Sequence, residues 1–281
     1  MGSPVNHQAY QQLLTDGFCI FPGVLPTALL SALRNMVARL VAGQNPDQVA
    51  RFRAQGSMFP VTSDPLCAEL IALPSALQAL AALGFANPTF SDGWIISKPG
   101  HSPRLFWHYD WFAWEDPRSY ELPPPQVFLM YYLSNTTPQN GCLRAIPGSH
   151  IQHNPIHDLL RAPHSKELSE AHDLAQAIEF ATRPDEVDVP IRAGDLLIGD
   201  ARLLHATHAN QTDERRTVIT LWFQPDLRSL PERMQAQMAK KAQVLPESWP
   251  EAAKALVSSL LARYTGEAQP YERTLYRPKH C

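Results

Sequence analysis

In the run Phe106-Trp107-His108-Tyr109-Asp110-Trp111-Phe112, His108 and Asp110 are separated by a single residue. In an extended segment residues i and i+2 project to the same side, so this imidazole and this carboxylate can converge on one metal ion. They would form two corners of a two-histidine, one-carboxylate site, the arrangement that leaves half of an octahedral iron open to substrates and O2. By itself H-x-D is a weak motif, whose ordinary use is a surface histidine beside a solvated aspartate. A second stretch strengthens it: Gly194-Asp195-Leu196-Leu197-Ile198-Gly199-Asp200-Ala201-Arg202-Leu203-Leu204-His205-Ala206-Thr207, followed by Arg215-Arg216-Thr217. It supplies a third ligand and a cation. His205 and His208 are both available as the ligand, and His205 is the expected one. It closes an apolar run, Leu203-Leu204, that would hold it rigidly, whereas His208 falls in the polar turn Ala209-Asn210-Gln211-Thr212-Asp213.

The elements that must position these residues read as mainly β. Segments 94–98, 104–108, 126–133, 141–146, 187–191, 195–198, 202–206 and 217–223 are short, rich in β-branched and aromatic residues, and bounded by turn residues. Eight such strands suggest a barrel or a double-sheet jelly roll. Ahead of them, residues 7–15 read as a helix ended by Asp16-Gly17, and Phe18-Cys19-Ile20-Phe21 as a strand. An amphipathic helix then opens at Pro26-Thr27, with Leu29, Leu30, Leu33, Met36, Val37 and Leu40 at three- and four-residue spacing until Gly43. Residues 45–60 read as loop, 65–73 and 74–83 as two further helices, and 231–264 as two more. A polar insertion, 151–185, is expected to be helical over 166–179. The expected organisation is one domain over 1–281: a helical N-terminal region over residues 1–87, a β core over 88–224 interrupted by the insertion, and C-terminal helices over 225–281.

Composition narrows the partners. The chain has 281 residues, 44% of them hydrophobic, and a formal charge of -3 with scattered basic residues, which argues against a nucleic-acid or anionic-membrane surface. The 26 prolines, including Pro123-Pro124-Pro125, fit a loop-rich β framework. The four cysteines, Cys19, Cys67, Cys142 and Cys281, lie far apart without C-x-x-C, and suggest neither a zinc knuckle nor a disulfide scaffold. With a polar start and no apolar run of membrane-spanning length, a soluble protein of the reducing cytoplasm is the expectation.

The chain resembles the phytanoyl-CoA dioxygenase family of iron(II)- and 2-oxoglutarate-dependent oxygenases. The resemblance is carried by Asp16-Gly17-Phe18, by Lys98-Pro99 before the H-x-D, and by Asn140-Gly141-Cys142-Leu143-Arg144-Ala145-Ile146-Pro147-Gly148-Ser149-His150. Gly194-Asp195-Leu196-Leu197, His205 and Arg216, eleven residues beyond it, complete the match. It implies a double-stranded β-helix with flanking helices, with His108, Asp110 and His205 as iron ligands and catalytic centre. It also implies Arg216 as partner of the distal carboxylate of 2-oxoglutarate, Thr207 where relatives often carry Ser beside that carboxylate, and Lys98 near the co-substrate. A guanidinium is a two-pronged, permanently charged match to a carboxylate. Arg215 competes with Arg216, but neighbours on a strand face opposite ways, so only one can point inward. Within the Asn140 to His150 block, Gly141, Pro147 and Gly148 read as turn residues and His150 as a turn residue rather than a ligand.

The resemblance implies oxidation of a C–H bond, by hydroxylation first of all, with Fe(II), 2-oxoglutarate and O2. A halogenase of the same family is disfavoured, because such enzymes carry a small residue where this chain has Asp110. A non-catalytic β-barrel that binds a ligand or metal is the alternative from another class. For the substrate, Tyr109, Trp111, Phe112 and Trp114 are expected to form an aromatic wall, with the loop 121–125 as a flap and the insertion, carrying His153, His157 and Arg161, as a lid. Ordinary core packing is the competing use of these aromatics. Without a dense basic patch for a CoA ester, a small polar or zwitterionic metabolite is the expected substrate.

Overall fold

A computed structural model of the chain describes residues 5–47, 54–160, 177–242, 244–271 and 277. Helix α1 (His7–Asp16) starts where the Asn6 side chain accepts from Ala9 N–H, and ends at Gly17, whose left-handed φ of 87° turns the chain into β1 (Phe18–Phe21). A Cβ at Gly17 would also lie 2.7 Å from His150 Nδ1, so this turn admits only glycine. Helix α2 (Thr27–Ala42) buries Leu29, Leu33, Met36 and Val37, one stripe of its surface. Two short helices, α3 (Cys67–Ile71) and α4 (Pro74–Ala82), follow, the second with Pro in its first turn.

Among the described residues, ten strands make two antiparallel sheets. The larger contains β1, β2 (Ser57–Pro60), β3 (Thr89–Lys98), β5 (Val127–Tyr132), β8 (Leu196–Asp200) and β10 (Arg216–Gln224), in the order β1-β8-β5-β10-β3-β2. The smaller contains β4 (Leu105–His108), β6 (Leu143–Ala145), β7 (Val187–Val189) and β9 (His205–Thr207), in the order β4-β9-β6-β7. All eight expected core strands are present, though β9 begins at His205 because Ala201 to Leu204 turn the chain first. The loop expected over 45–60 contains β2, an edge strand that ends on Pro60, where a missing N–H costs the sheet nothing. C-terminal helices α5 (Glu232–Lys241) and α6 (Glu251–Val257) fall where expected. Most of the helix expected over 166–179 lies outside the described residues; its last positions belong to a short 3-10 turn, Ile178–Phe180.

The central strands are buried on both faces, and alternation assigns each side chain a role. From β5, Val127, Leu129 and Tyr131 join Ile95, Ile198, Ile219 and Leu221 in the core beneath the N-terminal helices. Phe128, Met130 and Tyr132 point the other way, with Leu197, Val218 and Leu143, into the space between the sheets. Gly199 lies opposite Phe128 in the β5–β8 ladder, and a Cβ there would meet the Phe128 ring at 2.2 Å. The missing side chain lets that ring lie over β8, with its centroid 5.1 Å from the His205 ring. Gly199→Ala should therefore destabilise the protein by about 1–3 kcal/mol through overpacking, measured by urea unfolding. An unchanged unfolding midpoint would show that Phe128 has room to move.

Candidate active site

One register brings two of the candidate ligands together: His108, the last residue of β4, stands opposite His205, the first of β9. Two residues on, the N–H groups of Asp110 and Trp111 both donate to Ala201 O at 2.9 Å, which fixes the turn that presents the carboxylate. The two imidazole centroids are 4.1 Å apart. His108 Nε2 lies 3.9 Å from Asp110 Oδ1, and His205 Nε2 lies 4.0 Å from Asp110 Oδ2. One ligand atom from each of the three falls within 4.8 Å of the others.

Orientation of the rings follows from their own strands. His108 Nδ1 donates to Phe106 O and His205 Nδ1 donates to Leu203 O, each at 3.0 Å. A carbonyl can only accept, so both protons sit on Nδ1 and both Nε2 lone pairs face the shared point. Burial, then the neighbouring His205, pushes the His108 pKa well below the ordinary histidine value and keeps that ring neutral, as a ligand must be. On the carboxylate, Oδ2 accepts from Trp222 Nε1 at 3.0 Å. Trp222 was not singled out from the sequence. The signal was available in the inward series Arg216, Val218, Thr220, Trp222 on one strand.

These residues border a cavity of about 340 Å³. Arg216 and Thr207 line it, and both are buried with polar atoms left over: Arg216 Nε and Thr207 Oγ1 have no hydrogen-bond partner among the described residues. A buried, unanswered cationic donor and a hydroxyl lining one cavity suit an anion with more than one acceptor, which is what a carboxylate offers. Two imidazoles and a carboxylate are the donor set suited to a non-haem iron(II), so the residues fit both the metal and 2-oxoglutarate. Arg215 points outward, donating to Ser97 O at 2.9 Å and Ser57 Oγ at 3.2 Å.

Two sets of expected site residues are placed differently. Lys98 stands opposite Arg216 in the β3–β10 ladder, but its ammonium donates to Ala54 O at 2.9 Å and to Pro103 O, and it does not line the cavity. Fully buried beside another cation, it spends its charge on backbone carbonyls, and burial and Arg216 together lower its pKa. Tyr109, Trp111, Phe112 and Trp114 are each at most 1% exposed and pack in a separate apolar cluster with Ile156, Met234 and Met238. The chain leaves the strand at His108, so alternation stops there and the aromatic run turns away under the hydrogen bonds to Ala201 O. Their polar tips are taken: Trp111 Nε1 donates to Ser119 Oγ, Trp114 Nε1 to Trp111 O, and Tyr109 Oη accepts from Arg277 N–H. Trp94, Tyr132 and Trp222 are the aromatics that line the cavity. The expected flap is pinned as well, with Arg202 donating to Glu121 O and Arg118 to Pro123 O, each at 2.8 Å. Of the residues expected on a lid, His157 is buried against Tyr109, and Arg161 lies outside the described residues.

Fold and site define the class, the iron(II)- and 2-oxoglutarate-dependent dioxygenases, built on a double-stranded β-helix and using iron(II), 2-oxoglutarate and O2. Within that class the chain belongs to the phytanoyl-CoA dioxygenase family, whose model matches residues 13–218. It is 25% identical over 229 residues to L-proline trans-4-hydroxylase of Streptomyces griseoviridis, covering 74% of this chain and 82% of that protein. Ectoine dioxygenase of Nocardia farcinica (strain IFM 10152) is 25% identical over 222 residues, 74% of each chain. Among solved structures, HygX from Streptomyces hygroscopicus with nickel and 2-oxoglutarate bound superposes with a TM-score of 0.59 at 21% identity, over 79% of this chain and 88% of that one.

The indole of Trp222 is the outer support of the carboxylate. Trp222→Phe keeps the ring and removes the N–H, and should weaken iron(II) binding about 10–100-fold, read by anaerobic titration. Unchanged affinity would mean that Asp110 is held by the Ala201 turn alone.

Proposed function

We propose that this chain couples oxidative decarboxylation of 2-oxoglutarate to oxidation of a C–H bond, by hydroxylation, in a small polar metabolite. The observation that carries the proposal is one cavity lined by two complementary groups of residues. His108, Asp110 and His205 converge in its wall, and Arg216 and Thr207 line it with unanswered polar atoms. Iron(II) and 2-oxoglutarate, when bound, activate O2 and supply the oxidant, with succinate and CO2 as by-products. The protein's own contribution is placement. His108, Asp110 and His205 would hold the metal, Trp222 keeps the carboxylate turned toward the imidazoles, and Arg216 with Thr207 would anchor the distal carboxylate of the co-substrate. The apolar walls given by Met130, Leu143 and Val218 exclude water from the reacting end.

The substrate class follows from space and polarity. A cavity of about 340 Å³ is at the small end of ligand sites and must hold co-substrate and substrate together. Asp92, Gln126 and Lys241 supply polar lining near Trp94 and Trp222, a wall that suits a small polar or zwitterionic molecule and not a bulky acyl-CoA. The names of the two relatives, a proline hydroxylase and an ectoine dioxygenase, point the same way. An aspartate at position 110 favours the oxygenase reading over a halogenase, since it occupies the corner a halide would need.

Succinate release from 2-oxoglutarate, measured with and without iron(II), tests the reading, and it should require the metal. A charge-assisted hydrogen bond contributes about 1.5–3 kcal/mol, so Arg216→Ala should raise the apparent 2-oxoglutarate constant by roughly one to two orders of magnitude. Arg215→Ala should leave it within about twofold, in keeping with the factor-of-ten scale of 1.4 kcal/mol. Equal effects at the two positions would remove Arg216 from this role.

A further inference from the structure

His208, the histidine passed over as an iron ligand, faces away from the cavity on the outer surface of the smaller sheet. Strand alternation sends His205 and Thr207 inward and Ala206 and His208 outward. Cys142 lies across from His208, whose N–H donates to Cys142 O at 3.0 Å, next to the registered pair Leu143 and Thr207. On the other flank of β6, Asp188 of β7 is paired with Arg144, the residue two on from Cys142 on the same face. One ligand atom each from Cys142, Asp188 and His208 lies within 4.8 Å of the others.

We propose that Cys142, Asp188 and His208 form a second metal site, for zinc(II), on the outer face of the small sheet. Asp188 lies on β7, Cys142 just before β6 and His208 just after β9. Strands β9 and β7 flank β6, so their backbones are about 10 Å apart at the usual interstrand spacing. Yet His208 Nε2 and Asp188 Oδ1 are 2.5 Å apart. Both side chains therefore lean across β6 and meet above the thiol of Cys142, which is wholly buried beneath them. Asp188 and His208 keep the fourth, outward position open to solvent, with side-chain exposures of 42% and 19%. Thiolate, imidazole and carboxylate with one water is a tetrahedral set that zinc accepts, and the thiolate makes this site softer than the two-histidine, one-carboxylate centre. The neighbouring cation does not compete, because Arg144 is held by both carboxylate oxygens of Glu186. Burial, then the Asp188 carboxylate, pushes the Cys142 thiol up to about 12, so the metal-free site holds a neutral thiol beside a histidine–aspartate pair. Binding zinc would replace the His208–Asp188 hydrogen bond with Zn–N and Zn–O bonds, leaving the imidazole neutral with its proton on Nδ1, and would form the Zn–S bond with release of the thiol proton to solvent. The bound ion would clamp β6, β7 and β9, and β9 carries His205 and Thr207.

The test uses the full chain, stripped of metal, reduced and kept free of oxygen, and titrated with cobalt(II) as the probe. Both centres take cobalt, but only the proposed one has a thiolate ligand, so thiolate-to-cobalt charge transfer in the near ultraviolet reports on it alone. The band is expected in the wild type and in His205→Ala, and is expected to vanish in Cys142→Ser and in His208→Gln. Zinc stoichiometry by native mass spectrometry should fall by one ion per chain in His208→Gln. Absence of the band in the wild type overturns the proposal, leaving a histidine–aspartate pair over a buried thiol. A band that survives His208→Gln overturns it too, because cobalt would then be held by a cysteine without His208. If Cys142→Ser does not fold, the partly exposed His208→Gln decides.

Discussion

The arrangement depends on the pairing of β4 with β9. That pairing sets His108 against His205, and each ring is locked by a hydrogen bond from Nδ1 to a carbonyl two residues back on its own chain. Neither lock uses a distant side chain, so the orientation of both imidazoles is a property of two short backbone segments. The Asp110 carboxylate is positioned from the same segments: Ala201 O, just before β9, accepts the N–H of Asp110. A metal centre held by these three groups would be preorganised by the sheet itself.

Electrostatics then separates the two buried cations of the β3–β10 ladder. Lys98 and Arg216 are directly opposed, and a like-charged buried pair is unfavourable unless each charge is answered. Lys98 is answered by two backbone carbonyls. Arg216 keeps a buried donor without a partner among the described residues, and Thr207, which lines the same cavity, keeps a hydroxyl in the same condition. Such groups cost free energy in the unliganded fold and are retained where a ligand completes them. The fold thus stores a demand for an anion at one place in the cavity.

Much of this was legible in the residues, and the failures share a cause. Period-two patterning located the strands, and the i, i+2 rule brought His108 and Asp110 together and turned Arg215 and Arg216 apart. Simple adjacency to the His108–Asp110 pair misplaced Tyr109, Trp111, Phe112 and Trp114, because the strand stops where a long-range hydrogen bond to Ala201 O takes over. Strand β2 was invisible for the converse reason: its short, Pro-ended segment has little patterning and is a strand only because β3 offers it an edge. Trp222 lay on a periodic strand but reads as ordinary core until Asp110 is known to reach it.

The central claim is that His108, Asp110 and His205 together hold the iron. Its most direct measurement is the visible metal-to-ligand charge-transfer band that iron(II) and 2-oxoglutarate produce on a nitrogen- and carboxylate-ligated centre, recorded anaerobically in the wild type, His205→Ala and His208→Ala. The account predicts the band in the wild type and in His208→Ala, and its loss in His205→Ala. A band that persists without His205 and disappears without His208 would contradict it.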